Sequence, residues 1–167
     1  SRELEVMARL SDPHVIPVLA SGTDERLGLW YAMPLALGSL ADSATQPMDI
    51  GEVVDVMRDI CAGLMYIHQE GILHRDLKPA NVLRTQAGNW AIADFGLART
   101  VIESDLRMTS TTEGFGSMFY VAPEQWRDAK HVDERADVFS AGKIMQALVS
   151  AAVPADDLVP PGRLQAV

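Results

Sequence analysis

The residues best suited to chemistry cluster in Ile72-Leu73-His74-Arg75-Asp76-Leu77-Lys78-Pro79-Ala80-Asn81-Val82-Leu83. An apolar pair leads in, a His, Arg, Asp, Lys and Asn follow, and an apolar pair leads out, so a charged loop is pinned at both ends by buried chain. Polar groups held that way can be aimed. Further along, Ala93-Asp94-Phe95-Gly96 adds a second carboxylate at the end of a short apolar run. Two carboxylates and an amide on adjacent loops suit phosphoryl transfer, in which one carboxylate accepts a hydroxyl proton and the other oxygens hold magnesium against phosphates.

These loops need rigid supports. Residues 49–69 form the clearest helical stretch: Asp49 with Glu52 suits an N-terminal cap, Ile50, Val53, Met57, Cys61 and Leu64 make an apolar stripe, and Gly71 suits the stop. A buried core helix is expected there, its Met and aromatic residues serving packing and His68 at its end serving as a structural hydrogen-bonder. Segments 82–84 and 90–93 flank Gln86-Ala87-Gly88-Asn89, a hairpin pattern that would deliver Asp94. Segments 15–20 and 27–33 read as strands joined by the turn Ser21-Gly22-Thr23-Asp24. Residues 1–10 carry Leu4, Met7 and Leu10 at helical spacing, whereas residues 94–124 lack periodicity and are rich in Thr and Ser, as a functional loop would be. After Ser150 the pattern decays into Val153-Pro154 and Val159-Pro160-Pro161-Gly162, which reads as loop or truncated helix.

A chain of 167 residues can bury one sizeable core. Its net charge of −9 argues against nucleic acid or an anionic membrane as the main partner, since either favours a basic surface. The single cysteine, Cys61, cannot form an internal disulfide; its apolar helical setting reads as core and fits a reducing compartment. The longest nearly apolar run, residues 27–41, is broken by Gly28, Pro34 and Gly38 and is too short to span a bilayer. A cytoplasmic location without membrane contact by this segment is expected, including as the cytosolic part of a larger membrane-anchored protein.

His74-Arg75-Asp76 with Asn81 resembles the HRD-x4-N catalytic loop of eukaryotic-type serine/threonine protein kinases; Asp94-Phe95-Gly96 resembles their DFG and Ala122-Pro123-Glu124 their APE, in the family's order. The resemblance covers the chain to about Ser150 and implies an α+β fold of the protein-kinase type. Residues 1–33 would be a remnant of the N-lobe, 34–38 the hinge, and 39–167 a mostly helical C-lobe incomplete at its C-terminal end. Residues 1–10 fall at the family's C helix, with Glu3, or Glu5 in a slipped register, as the glutamate that pairs a strand lysine at the ATP phosphates. That lysine and the Gly-rich loop are not among the 167 residues. Met33 matches the gatekeeper, Pro34 and Ala36 the hinge positions facing adenine, and Leu83 the residue beneath the ring. Pro34 replaces a usual acidic residue where only a carbonyl is needed. Ala136 to Gly142 resembles the start of the family's F helix, whose Asp, here Asp137, anchors the catalytic loop.

By resemblance, Asp76 accepts the hydroxyl proton, Lys78 steadies the transferring phosphate, and Asn81 and Asp94 hold Mg2+, or Mn2+ in its place. ATP and proteins with Ser or Thr acceptors would be the partners. The run Asp-Leu-Lys-Pro-Ala-Asn and Ser117, at a substrate-facing position, favour Ser/Thr over Tyr. Arg75 and Arg99 would converge on a phosphate at Thr111 or Thr109. Met7, Val18, Phe95 and His74 are expected to stack as a column footed on Asp137. The 167 residues alone are expected to have little activity and weak ATP binding, and the alternative reading is a catalytically dead kinase-like scaffold.

Overall fold

The computed structural model describes residues 9–24, 26, 28–44, 46–95, 118–127 and 131–150. In chain order its elements are β1 (Ala20–Asp24), β2 (Gly28–Ala32), β3 (Gly38–Ser39), α1 (Leu40–Ser43), α2 (Ile50–Gln69), a 3-10 turn (Pro79–Asn81), β4 (Val82–Arg84), β5 (Trp90–Ile92), α3 (Pro123–Arg127) and α4 (Arg135–Ser150). Strands β1 and β2 form one antiparallel pair, and β3, β4 and β5 form an antiparallel sheet with β4 in the middle. The architecture is α+β, as the sequence implied.

Helix α2 is the backbone of the core. The Asp49 carboxylate accepts a hydrogen bond from the Gly51 N–H at 2.9 Å, and past the other end Gly71 takes φ 72°, the left-handed region that favours glycine. Val53, Val56, Ile60, Gly63, Leu64 and Ile67 are buried, and they meet Ile144 and Leu148 of α4 in one apolar cluster with Val82 and Ile92. This stripe is rotated from the one expected: Ile50 is 63% exposed and Cys61 is exposed, so neither is core. The segment 50–67 carries apolar residues on more than one side, and the buried side is the one that contains Gly63.

Gly63 is selected by close approach. A Cβ there would lie 2.4 Å from the His14 carbonyl oxygen. The same oxygen accepts a hydrogen bond from Ile92 N–H at 2.9 Å, and Ile16 N–H donates to Ile92 O at 2.9 Å, so residues 14–16 lie parallel along β5. Asp12 holds the preceding turn, its carboxylate accepting from His14 N–H at 2.8 Å. One helix residue without a side chain thus lets the N-terminal loop dock onto the hairpin that carries the second acidic site.

The strands near the N-terminus differ from expectation. Ser21 to Asp24, read as a turn, are paired strand, with Ala20 opposite Ala32 and Asp24 opposite Gly28. Residues 15–19 form no strand of their own: Val15 bridges Ile92 and Leu19 N–H donates to the Ala32 carbonyl at 2.8 Å, while Pro17 between them has no N–H to continue a ladder. The β4–β5 hairpin matches the expected one, with Val82 opposite Ile92 and Arg84 opposite Trp90.

Candidate active site

The loop from Leu73 to Leu77 is held by its backbone. Arg75 has φ 66°, an unusual conformation for a residue with a Cβ, costing on the order of 1 kcal/mol or more unless its surroundings impose it. They do. Asp137 on α4, 1% exposed, accepts from His74 N–H through Oδ2 and from Arg75 N–H through Oδ1, each at 2.8 Å. His68, at the end of α2, places Nε2 2.8 Å from the same Oδ2. On the other side, Gln125 on α3 donates its Nε2–H to the Arg75 carbonyl at 2.8 Å and accepts from Ala122 N–H at 3.2 Å. Two helices and the end of a third therefore converge on one peptide, which aims the next residue.

That residue is Asp76. Lys78 Nζ lies 2.8 Å from its Oδ2, and Asn81 Nδ2 donates to Oδ2 at 3.1 Å and to the Asp76 carbonyl at 2.8 Å. Pro79 opens the 3-10 turn, where its missing N–H costs nothing, and the turn brings Asn81 back over the loop. With Nδ2 committed to Asp76, the amide oxygen of Asn81 faces away from it. Asn81 O accepts Ala93 N–H at 2.8 Å, which ties the end of β5 to the loop.

Asp94 follows at φ 60°, and its carboxylate Oδ1 accepts a hydrogen bond from the Tyr31 hydroxyl of β2. Burial first, then this bond and the negative charge of Asp94, push the Tyr31 hydroxyl far above its ordinary pKa. Next to Asp94, the fully buried Phe95 meets the His74 ring edge-on, with ring centres 6.2 Å apart. His74 is fully buried and among the described residues neither ring nitrogen has a hydrogen-bond partner. Burial lowers its pKa, against the pull of the Asp137, Asp76 and Asp94 carboxylates, so the ring is held neutral.

A cleft runs between residues 16–18 and β2 and ends on Asp94 and Phe95, with Tyr31 and Met33 on its wall. Pro34 and Ala36 follow, half-buried, in the stretch leading to β3, and Leu83 on β4 is half-buried against Ile16, Ala91 and Ala93. Val18, Phe95, His74 and Asp137 of the expected column are described: Val18 and Phe95 belong to one apolar cluster, and His74 links Phe95 to Asp137. Glu3, Glu5, Met7, Arg99, Thr109, Thr111 and Ser117 lie outside the described residues. Among the described residues no group of three His, Cys, Asp or Glu side chains is placed to hold a metal. The Asn81 amide and the Asp94 carboxylate, on loops joined by the Asn81–Ala93 bond, are nonetheless the all-oxygen set suited to magnesium that shares its sphere with phosphates.

Reading the sequence missed Tyr31, Gln125 and Asp59. Strand alternation could have found Tyr31, since it shares a face with Met33. Gln125 has no such signal, and neither has Asp59, whose carboxylate accepts Trp90 N–H at 2.9 Å.

The site thus combines a pinned acidic loop, a hairpin that delivers a second carboxylate and a strand pair beside the cleft. The chain belongs to the protein kinase domain family, whose model matches residues 1–159. It is 34% identical over 154 residues to serine/threonine-protein kinase PknL of Mycobacterium tuberculosis, covering 91% of this chain and 38% of that protein. With a probable serine/threonine-protein kinase of Corynebacterium efficiens it shares 33% over 159 residues, 92% of this chain and 24% of the other. With serine/threonine-protein kinase PknB of Mycobacterium tuberculosis the identity is 31% over 161 residues, 92% of this chain and 25% of that one. The chain thus spans less than two fifths of the length of these relatives. Among the described residues no helix is long and apolar enough to cross a membrane.

Proposed function

We propose that this chain is the catalytic part of a serine/threonine protein kinase, moving the γ-phosphoryl group of ATP to Ser or Thr hydroxyls of proteins. The observation that carries the reading is the set of contacts on Asp76: Lys78 and Asn81 both engage Oδ2, and Oδ1 accepts no hydrogen bond among the described residues. Oδ1 is then the oxygen that accepts the substrate hydroxyl's proton, as the oxygen–phosphorus bond forms and the bond to the leaving ADP oxygen breaks. Lys78, 2.8 Å from Asp76, is the ammonium that would offset the charge spreading over the oxygens of the transferring phosphoryl group. Magnesium, bound with ATP, would neutralise charge on the phosphates; the Asn81 amide oxygen and the Asp94 carboxylate are the protein groups that would hold it. Manganese suits the same oxygens.

Residues 1–33 act as the N-lobe portion, 34–38 as the hinge and 39–167 as the C-lobe portion. Met33, Pro34, Ala36 and Leu83 frame the adenine; Glu3 takes the role of the glutamate that pairs the phosphate-holding lysine, and Ser117 that of a substrate-binding residue. Among the described residues the Arg75 guanidinium makes no ion pair, which supports its pairing, with Arg99, to a phosphate on Thr111 or Thr109. The charge balance and the described helices fit cytoplasmic work on proteins.

The test is a pair of substitutions in the full-length protein. Asp76→Asn lowers turnover by about a hundredfold or more with nucleotide affinity nearly kept, because Asp76 acts on the hydroxyl. Asp94→Ala weakens magnesium-nucleotide binding itself. Near-normal turnover in Asp76→Asn overturns the catalytic-base assignment, whereas absence of turnover in the unaltered full-length protein leaves a binding module as the reading.

A further inference from the structure

The bond from Tyr31 to Asp94 crosses from one sheet to the other. Tyr31 belongs to β2, whose partner is β1, while Asp94 follows β5 of the three-stranded sheet. A phenol beside a carboxylate is the donor, so Tyr31 O–H donates to Asp94 Oδ1. It is also the only hydrogen bond that the Asp94 carboxylate makes among the described residues. Asp94 stands at φ 60°, in a region sparsely used by residues with a side chain, so its backbone alone does not settle the side chain's direction in the cleft. Tyr31 could instead be a strand aromatic packed for bulk alone, but then its hydroxyl would have no reason to end on the carboxylate.

We propose that Tyr31 is a positioning residue for the Asp94 carboxylate: its hydrogen bond occupies Oδ1 and turns Oδ2 toward the divalent cation that accompanies the nucleotide. The inference rests on the kinase reading, which makes Asp94 a cation ligand. Donors behind a ligating carboxylate fix its orientation, and losing one typically weakens metal affinity by roughly 10–100-fold. The arrangement also couples the two sheets, since the cation would be held more tightly when β2 lies against the end of β5.

The experiment compares Tyr31→Phe, Asp94→Ala and the unaltered full-length protein. Calorimetry measures ATP affinity with EDTA and over a magnesium series, paramagnetic resonance measures bound manganese, and melting temperature reports packing. Tyr31→Phe keeps the ring, so its affinity for metal-free ATP and its melting temperature stay close to those of the unaltered protein. Its magnesium and manganese affinities fall by about 10–100-fold, toward those of Asp94→Ala. Unchanged metal affinity in Tyr31→Phe, with the loss present in Asp94→Ala, overturns the role of Tyr31 and leaves the kinase reading standing. Tighter metal binding in Tyr31→Phe overturns it as well, by making the bond a competitor of the cation. A lower melting temperature without a metal effect makes Tyr31 purely structural. Unchanged metal affinity in Asp94→Ala removes the cation assignment itself, and the inference with it.

Discussion

Two antiparallel hairpins flank the cleft and could hardly be more differently embedded. In β5, Trp90, Ala91 and Ile92 are 9%, 1% and 0% exposed, whereas β1 has four of its five residues exposed and Trp30 of β2 is 42% exposed. The buried hairpin packs on α2 and is tied by Asp59 and Asn81 to a helix and to the catalytic loop. Among the described residues, the open one reaches the site through Tyr31 and through Met33 just past its end. Groups that would act on the transferring phosphoryl group thus stand on the rigid side, as does Leu83 of β4, whereas Met33, which would also meet the nucleotide base, follows the strand pair with less to hold it. Positional accuracy of a fraction of an ångström matters most where bonds change, and burial is what supplies it.

The sharpest way to break this comparison is to cut the rigid side at Asp137. Replacing it by Ala strands the His74 and Arg75 N–H groups and the His68 ring, and removes what holds Arg75 at φ 66°. A stability loss of about 3–5 kcal/mol by urea unfolding is expected, from several buried donors left unpaired. A loss under about 1 kcal/mol would mean that the loop is held from elsewhere.

Gly63→Ala probes the same side more gently. Alanine favours a helix over glycine by about 1 kcal/mol, but the new Cβ would sit 2.4 Å from a backbone oxygen already bonded to Ile92. The loop 12–16 would have to lift from β5. A net loss of about 1–3 kcal/mol, read as a lowered denaturation midpoint, is expected from such overpacking.

What could be read from the residues divides along the same line. The β4–β5 hairpin, the limits of α2 and the anchoring by Asp137 were legible, because local turn chemistry, capping residues and a resemblance tied to adjacent motif residues each fix position to the residue. The phase of α2 was not, since Ile50 and Cys61 are as apolar as the residues that are buried and only the tertiary approach at Gly63 decides between faces. The β1 strand was misread because Ser21, Gly22 and Asp24 favour turns by themselves, and pairing with β2 overrides them. Tyr31 was missed for a different reason: alternation with Met33 marks its face, but its partner Asp94 lies far along the chain and no spacing rule connects the two.

His74 makes the rigid side sensitive to pH. Its ring is buried and neutral, with a pKa below the ordinary 6.5 because burial outweighs the carboxylates of Asp137, Asp76 and Asp94. The folded chain therefore takes up this proton less readily than the unfolded one. Stability from this group is present above pH 6.5 and is lost as pH falls below it toward the lowered folded-state value. Urea midpoints between pH 7 and 5 should fall more steeply in the unaltered chain than in His74→Phe, which keeps a ring beside Phe95 and has no proton to gain. Parallel profiles would place the acid sensitivity in other groups.

The smallest effect is expected on the open side. Thr23 of β1 is exposed and stands opposite Leu29 in the strand register. Thr23→Ala loses strand preference on a scale that spans only about 1 kcal/mol in full, and an exposed position on a two-stranded pair realises a fraction of it. Surface changes of this kind usually stay within about 0.5 kcal/mol, and the same urea titration used for Asp137→Ala resolves that difference. The substitution is also the control for the whole contrast, because it asks whether β1 is as uncovered in solution as its exposure states. A loss of about 2 kcal/mol or more would mean that something packs over Thr23, and the two hairpins would then differ in what covers them rather than in whether they are covered at all.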